Sequence, residues 1–322
     1  MILVWVDHVG GAPDLLSLEA LTFARGLAGT SGAPLEAVVI GSDPMADQLS
    51  AFGVQTVHAV WDERLADFAP AAWAQCVVDV VGTSQPQTVL AAGSDRGNEV
   101  MAHVAAKTEL PLAANCTEVE PGDTYVVTRL RWGGSLLEEA RLSGAVNLMT
   151  IAPHALAPEE ALAPSVPALI HVVPTLSDDD LRVRVIRREA PEGGRVSLAD
   201  ARVVVGGGRG VGSQDGFRCV DELAALLGGA VGVSRAVTSL GWRPHAEQIG
   251  QTGTRIAPDL YIACGISGAI QHIVGCKAAK KILAINTDPD APILAHADYA
   301  VIGDLQKVVP AVTEEIKRRG LG

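Results

Sequence analysis

Short apolar runs alternate with amphipathic stretches through the first half of the chain. The runs are four to six residues long, which is the pattern of strands buried on both faces of a parallel sheet. Between them, apolar residues recur at helical spacing, which predicts helices between the strands. The predicted strands cover residues 2–6, 35–40, 57–60, 88–92 and 146–151, and the predicted helices cover 15–27, 71–81 and 98–108.

The pattern changes after residue 124. Residues 125–131 and 135–142 flank the segment 132–134 (Trp-Gly-Gly), and this arrangement predicts an antiparallel excursion around a glycine turn. Residues 181–188 alternate apolar and basic positions, which is typical of an exposed strand. Both features interrupt the alternation of buried strands and helices.

A boundary between two domains is predicted within residues 152–200. The stretch 152–174 is rich in Pro and Ala, and residues 191–194 are Pro-Glu-Gly-Gly, which is the composition of a hinge. We therefore divide the chain into an N-terminal domain over 1–190 and a C-terminal domain over 191–322.

Strand and helix signals alternate again in the C-terminal domain. Strands are predicted at 202–205, 260–264, 282–286 and 299–302, with a fragment at 231–233, and helices at 217–227, 267–279 and 305–319. The predicted fold class is α/β, with two domains that each contain a mainly parallel sheet flanked by helices.

Composition narrows the function classes. Of 322 residues, 48% are hydrophobic and 19% charged, so a sizeable core can be buried. The net charge of −12 argues against a nucleic-acid binder. The five cysteines show no C-x-x-C spacing, which favours reduced thiols, and no apolar run reaches the ~18 residues of a membrane span. We expect a cytoplasmic protein without a transmembrane segment, and neither metal-ligand spacing nor a nucleophile elbow is present.

Two glycine-rich segments carry the strongest chemical signal. Residues 250–253 are Gly-Gln-Thr-Gly, and residues 265–272 are Gly-Ile-Ser-Gly-Ala-Ile-Gln-His and follow a predicted strand directly. A strand, a glycine turn and a helix N-terminus together present backbone N–H groups that bind anions. The C-terminal domain is therefore predicted to bind a phosphate-bearing cofactor.

Other polar residues near strand ends each have a structural alternative. Arg209 lies in a glycine run that matches neither the dinucleotide fingerprint nor the phosphate loop, so a plain turn explains it equally well. Arg235 is either a surface residue or a cation laid on an electron-rich ring. Asn286 ends a strand, where ligands of open sheets gather, whereas Asp304 fits a helix N-cap as well as a ligand contact. His272, taken alone, is more typical of a structural histidine.

Taken in order, the motifs between residues 201 and 310 resemble the alpha subunit of electron transfer flavoproteins. Their order and spacing are specific, although each one alone is weak. The motifs are 207–210 (Gly-Gly-Arg-Gly), 233–235 (Val-Ser-Arg), 250–253, 257–261 (Ala-Pro-Asp-Leu-Tyr), 265–272 and 284–286 (Ala-Ile-Asn). The first 190 residues resemble the more variable N-terminal domain of that family mainly in pattern, with the glycine-containing turn at 131–134.

The resemblance implies an electron carrier subunit with FAD on its C-terminal domain. Its N-terminal domain would pack on an electron transfer flavoprotein beta subunit, which also carries a nucleotide. The heterodimer would accept electrons from a flavin dehydrogenase, such as an acyl-CoA dehydrogenase of fatty acid oxidation. It would pass them to a downstream acceptor such as a membrane quinone reductase.

The resemblance also implies roles for individual residues. Arg235, Thr252 and His272 are implied to tune the flavin, Arg235 against its ring, Thr252 near N5 and His272 near the pyrimidine carbonyl. The implied cofactor-binding set comprises Arg209, Ser234, Arg235, Gln248, Gly250, Gln251, Thr252, Gly253, Gly265, Ser267, Gly268, Ala269, Gln271, His272, Asn286 and Asp304.

These roles make physical sense because reduction adds negative charge to the flavin. In a poorly hydrated pocket that charge is costly unless donors or cations face it. Arg235 and His272 are the candidates, and the dipole of the helix predicted to begin near Ser267 would assist them.

Two positions depart from the family's pattern. Thr254 and Thr287 stand where the family carries lysines, so two cations near the cofactor region are absent. Arg255, one position after the first missing lysine, is a candidate replacement.

Two other classes of function stay open. One is a flavin-dependent oxidoreductase, including a subunit of an electron-bifurcating complex, with His272 as its only acid–base candidate, and the other is a non-redox nucleotide-binding protein on the same fold.

Overall fold

The structure is a computed structural model that describes residues 1–41, 43–187, 196–199 and 201–320. The chain divides into two units, Met1–Arg188 and Glu189–Gly322. The hinge composition predicted at 191–194 lies outside the described residues. No helix in the described ranges combines the length and the apolar character needed to cross a membrane.

The first unit alternates strands and helices as the apolar pattern predicts. Its strands are β1 (Ile2–Val6), β2 (His8–Val9), β3 (Ala12–Pro13), β4 (Leu35–Ile40), β5 (Thr56–Val60), β6 (Thr88–Ala92), β7 (Leu112–Glu120), β8 (Tyr125–Arg131), β9 (Leu136–Leu142), β10 (Asn147–Ile151) and β11 (Ala168–Val172). Its helices are α1 (Leu15–Ser31), α2 (Ala46–Ser50), α3 (Pro70–Ser84) and α4 (Asp95–Thr108), with 3₁₀ turns at Glu63–Leu65, Trp132–Gly134 and Asp179–Leu181.

Nine of these strands form one sheet in the order β11-β5-β4-β1-β6-β10-β7-β8-β9. The strands from β11 to β7 pair in parallel, whereas β8 pairs antiparallel with both β7 and β9. The central strands β1 and β6 are buried along their whole length, which explains their unbroken apolar sequences. The antiparallel pair β8–β9 around Trp132–Gly134 confirms the predicted excursion.

The sequence patterns miss or misplace three features of this unit. The strand β7 was not predicted, and β11 lies inside the stretch predicted only as a Pro- and Ala-rich boundary, where it pairs with β5. The exposed strand predicted over 181–188 is wrong for its described residues, because 181–187 form no strand. There the chain follows a 3₁₀ turn whose Asp180 carboxylate accepts a bond from Ser177 and pairs with Lys107 at 2.6 Å.

The second unit is a smaller doubly wound domain. Its strands are β12 (Val203–Gly207), β13 (Ala230–Val233), β14 (Leu260–Cys264), β15 (Ile282–Asn286) and β16 (Tyr299–Ile302), and its helices are α5 (Arg218–Leu226), α6 (Arg235–Ser239), α7 (Ile270–Cys276) and α8 (Leu305–Arg319). Short 3₁₀ turns lie at Arg209–Val211, Asp215–Phe217, His245–Glu247 and Pro292–His296. All five strands are parallel, in the order β13-β12-β14-β15-β16.

The helix predicted over 267–279 is shorter than expected. α7 begins at Ile270 because Gly265 and Gly268 adopt left-handed backbone angles, with φ of 61° and 84°, that no right-handed helix accommodates. It ends at Cys276, so it contains seven residues. The dipole expected to start near Ser267 is therefore displaced by three residues and weaker than predicted.

Candidate functional site

The predicted site residues of the second unit gather at one edge of its sheet. Ser234 follows β13, Arg209 follows β12, Ser267 follows β14, Asn286 ends β15 and Asp304 follows β16. Because the strands are parallel, their carboxyl ends meet at the same edge. The chain order reverses between β12 and β14, which is where open α/β sheets bind ligands.

A cavity of about 250 Å³ opens at this edge. It is lined by Ser234, Arg235, Ala236, Gln248, Ile249, Gly250, Gln251, Thr252, Ile266, Ser267, Ala269, Gln271 and His272. All of these except Ala236, Ile249 and Ile266 belong to the implied cofactor-binding set. The volume lies below the ~300–1,000 Å³ typical of small-molecule pockets, so the cavity has room for only part of a dinucleotide.

Six members of the implied set lie outside this cavity lining, namely Arg209, Gly253, Gly265, Gly268, Asn286 and Asp304. Two of them have structural partners. The Asn286 amide donates to the Ile266 carbonyl at 2.9 Å, and Asp304 caps α8 by accepting from Gln306 N at 3.0 Å. The N-cap alternative for Asp304 is thus realised, and its contact with a cofactor stays a prediction.

The glycine run after β12 has a packing explanation. A Cβ on Gly208 would lie 2.2 Å from the Gly265 carbonyl oxygen, and one on Gly206 would lie 2.5 Å from the Tyr261 hydroxyl. Gly210 N also donates to the Gly265 carbonyl at 3.0 Å. Only glycine permits this backbone approach, whereas Arg209 is exposed beside it.

The turn at 250–253 is held backbone to backbone against α7. Gln251 N donates to the Gln271 carbonyl at 2.8 Å, and a Cβ on Gly275 would lie 2.4 Å from Gly250 Cα. Gly250 itself has a φ of 142°. The two glycine-rich motifs of the sequence therefore form one rigid wall of the cavity.

His272 forms the buried end of that wall and is 6% exposed. Burial lowers its pKa to about 4, an effect that the nearby Ile249 carbonyl only partly offsets. The Tyr261 hydroxyl, itself fully buried, lies 2.8 Å from Nε2 of His272. Tyr261 belongs to the motif at 257–261, but nothing in that motif indicates this contact.

The Tyr261 contact limits the hydrogen bonding of the imidazole. Burial raises the pKa of Tyr261, so its hydroxyl stays protonated, and it either donates to Nε2 of His272 or accepts from it, according to the tautomer. The other ring nitrogen, Nδ1, is buried and makes no hydrogen bond of standard geometry among the described residues, although the Ile249 carbonyl acts on the pKa of the ring. Because its pKa is lowered to about 4, His272 is neutral at pH 7 and does not supply the positive charge considered from the sequence.

We expect His272 to make the stability of the protein fall as pH is lowered from 6.5 towards 4. In this window the unfolded chain binds a proton that the folded chain does not, so stability rises with pH. The loss between pH 7 and pH 5 is about 2 kcal/mol. Urea unfolding at several pH values measures it, and the variant H272Q should show a shallower pH dependence.

The matched control for this measurement is H245Q, because His245 is exposed. It should keep the wild-type pH dependence. An H272Q variant whose stability changes with pH as steeply as the wild type would contradict the assignment.

Arg235 stands at the rim of the cavity, directly after β13, and its side chain is exposed. No ion pair neutralises its guanidinium within the described ranges of the chain. Arg255, the candidate replacement for a missing lysine, is half-buried and does not line the cavity. Arg235 is thus the only cationic side chain among the cavity-lining residues.

Comparisons with known proteins agree with this site. Residues 2–176 match the electron transfer flavoprotein domain, and residues 197–277 match the electron transfer flavoprotein FAD-binding domain. The chain is similar to electron transfer flavoprotein subunit alpha of Thermoanaerobacterium thermosaccharolyticum, with 33% identity over 98% of both chains. It is 36% identical to the Megasphaera elsdenii subunit alpha over 99% of this chain and 96% of that one. It is also 34% identical to Protein FixB of Clostridium saccharobutylicum, over 98% of this chain and 96% of that protein. The chain therefore belongs to the electron transfer flavoprotein alpha subunit family, and its second unit contains the FAD-binding domain of that family.

Proposed function

We propose that this chain is the FAD-binding subunit of a heterodimeric electron carrier. With a beta subunit, it accepts electrons from a flavin dehydrogenase, such as an acyl-CoA dehydrogenase, and delivers them to a downstream acceptor. The observation that carries this proposal is the composition of the cavity. It presents one cation, Arg235, and the neutral hydrogen-bonding groups of Thr252 and His272, but its only acid–base candidate is buried with a pKa of about 4.

The residues of the cavity fit a flavin. The buried Nδ1 of His272 makes no hydrogen bond of standard geometry among the described residues, and an isoalloxazine carries carbonyl acceptors and an N–H donor on the same edge that would pair with it. FAD, when bound, supplies the redox chemistry. Arg235 and Thr252 would hold its ring, whereas Ser267 and Gln271, both exposed residues of the cavity lining, would hold the chain that leads to the adenosine.

The same arrangement favours a carrier over an oxidoreductase with its own substrate. A general acid or base works best with a pKa near the working pH. At pH 7 His272 is neutral because its pKa is lowered to about 4, so it carries no imidazolium proton to give to a substrate, and Tyr261 occupies its Nε2. His272 can therefore take part in a hydrogen bond, but it has no ready means of transferring a proton.

A beta subunit is supported by exposed apolar side chains on the first unit. Trp132, Leu136 and Leu137, in and after the turn between β8 and β9, are 78%, 55% and 69% exposed. Such patches are typical of surfaces that bind another protein.

The cysteines of the described residues are all free, which supports our proposal of a reducing, cytoplasmic location.

Co-production of the chain with its beta subunit tests the proposal. We expect a heterodimer that shows the visible absorbance of bound flavin, and that an acyl-CoA dehydrogenase reduces in the presence of its substrate. A heterodimer that is colourless, and stays so after addition of FAD, would contradict the proposal. Turnover of NADH or an acyl-CoA without any dehydrogenase would instead favour the oxidoreductase class.

A further inference from the structure

We propose that Gln248 and Thr238 are positioning residues that hold the Thr252 hydroxyl as a hydrogen-bond donor towards the flavin. This inference rests on the proposed function and deepens it. The resemblance places Gln248 among the residues that contact the cofactor, and that contact stays a prediction. In the structure its amide is bound at both ends to groups of the protein.

Gln248 belongs to the cavity lining but is only 2% exposed. Its Nε2 is 3.1 Å from the Thr252 carbonyl oxygen and 2.9 Å from Thr252 Oγ1. Its Oε1 accepts from Thr238 Oγ1 at 2.6 Å. The amide therefore connects helix α6 with the glycine turn at 250–253.

The orientation of this amide follows from its partners. The Thr252 carbonyl is an acceptor only, so the nitrogen of Gln248, rather than its oxygen, must face it. Nε2 donates both to that carbonyl and to Thr252 Oγ1. The Thr252 oxygen consequently accepts from Gln248, and its own hydrogen stays available for a different partner.

That different partner lies on the cavity side. Thr252 is exposed and lines the cavity, whereas its buried side is taken by Gln248. A hydroxyl that already accepts one bond donates its hydrogen to an acceptor placed in the cavity. Gln248 thus determines the polarity of the contact between Thr252 and the cofactor.

Thr238 fixes the opposite end of the amide. Its hydroxyl also lies 3.0 Å from the Arg235 carbonyl, one helical turn earlier in α6. Both groups available to this hydroxyl are acceptors, so it can only donate to them. The segment that carries Arg235 and the turn that carries Thr252 are therefore linked through one buried amide.

A double-mutant cycle in the FAD-loaded heterodimer tests this inference. The variants are Q248M, which keeps the size of the side chain, T252V, and the two combined. We expect each single variant to shift the equilibrium of one-electron reduction about fivefold against reduction, or about 40 mV at ~59 mV per tenfold. The double variant should match T252V, because Gln248 acts through the Thr252 hydroxyl.

Two further variants separate positioning from general stability. Q75M removes a similar amide between Asp79 and Lys107 in the first unit, so it should leave the midpoint potential unchanged. T238V keeps the Gln248 amide but removes the donor to its oxygen. T238V should shift the midpoint potential in the same direction as Q248M, but it should cause no further shift when it is combined with T252V. If Q248M folds poorly, T238V still tests the positioning role.

The outcomes distinguish this inference from the proposed function. Unshifted potentials in Q248M and T238V, or shifts that add in full to that of T252V, would overturn the positioning role alone. A wild-type heterodimer that holds no FAD would contradict the proposed function itself.

Discussion

Alanine at position 275 is expected to weaken FAD binding by about 100-fold. Gly275 lies in α7, and a Cβ there would be 2.4 Å from both N and Cα of Gly250. Neither atom belongs to a flexible side chain, so the turn at 250–253 must move away from the helix. Overpacking of this kind costs about 3 kcal/mol, and the displaced turn carries Gln251 and Thr252 out of the cavity wall. Titration of the apoprotein heterodimer with FAD measures the loss.

The matched control is G29A. Gly29 is a helical glycine of α1 whose added Cβ would meet no atom within 4 Å. Alanine there should leave FAD affinity unchanged and slightly stabilise the helix. A G275A variant with wild-type FAD affinity would show that the turn and the helix are not a rigid wall.

The close approach at Gly275 shows where prediction from sequence ends. The motifs at 250–253 and 265–272 were identified as binding segments by composition, and the structure brings both to one cavity. Their mutual contact depends on Gly250 and Gly275, which are 25 positions apart, and no local pattern indicates that these two pack. Gly275 was therefore given no role, although it sets the geometry of both motifs.

Strand prediction is accurate for β12, β14 and β15 of the second unit because these parallel strands are largely buried on both faces. β16 is an exposed edge strand, although its apolar run also predicts it. Helix prediction was less accurate where backbone conformation overrides pattern. The apolar spacing of 267–279 fits a helix, but positive φ at Gly268 delays α7 to Ile270. In the first unit, β11 pairs in parallel with β5 at a distant sequence position, and such pairing leaves little signal in a Pro-rich stretch.

The chemical state of the site was the least predictable part. The motif indicates His272, but whether this residue is charged depends on its burial and on the Ile249 carbonyl, which comes from a distant segment of the chain. The resemblance implies that Gln248 contacts the cofactor, and its contacts with Thr238 and Thr252 are visible only in the structure. The spacing of these residues is compatible with several hydrogen-bond arrangements, and only coordinates select one of them.

Removal of the positive charge at Arg235 is expected to lower the one-electron midpoint potential of the heterodimer by about 0.1 V. With His272 neutral, Arg235 is the only cationic side chain that lines the cavity. A unit charge about 4 Å away at an effective dielectric near 20 contributes about 4 kcal/mol, or about 0.17 V. Because Arg235 is exposed, solvent screening reduces this figure to about half. Potentiometric titration of R235Q measures the change.

Two comparisons sharpen the test of Arg235. R235K should keep FAD and show a smaller decrease, because a point charge replaces a planar guanidinium that stacks on rings. R218Q removes an exposed arginine that pairs with Asp215, away from the cavity lining, and should leave the potential unchanged. A wild-type potential in R235Q would remove Arg235 from the redox role. The stabilisation of added charge would then fall to the neutral donors Thr252 and His272, whose hydrogen bonds are each weaker than the charge.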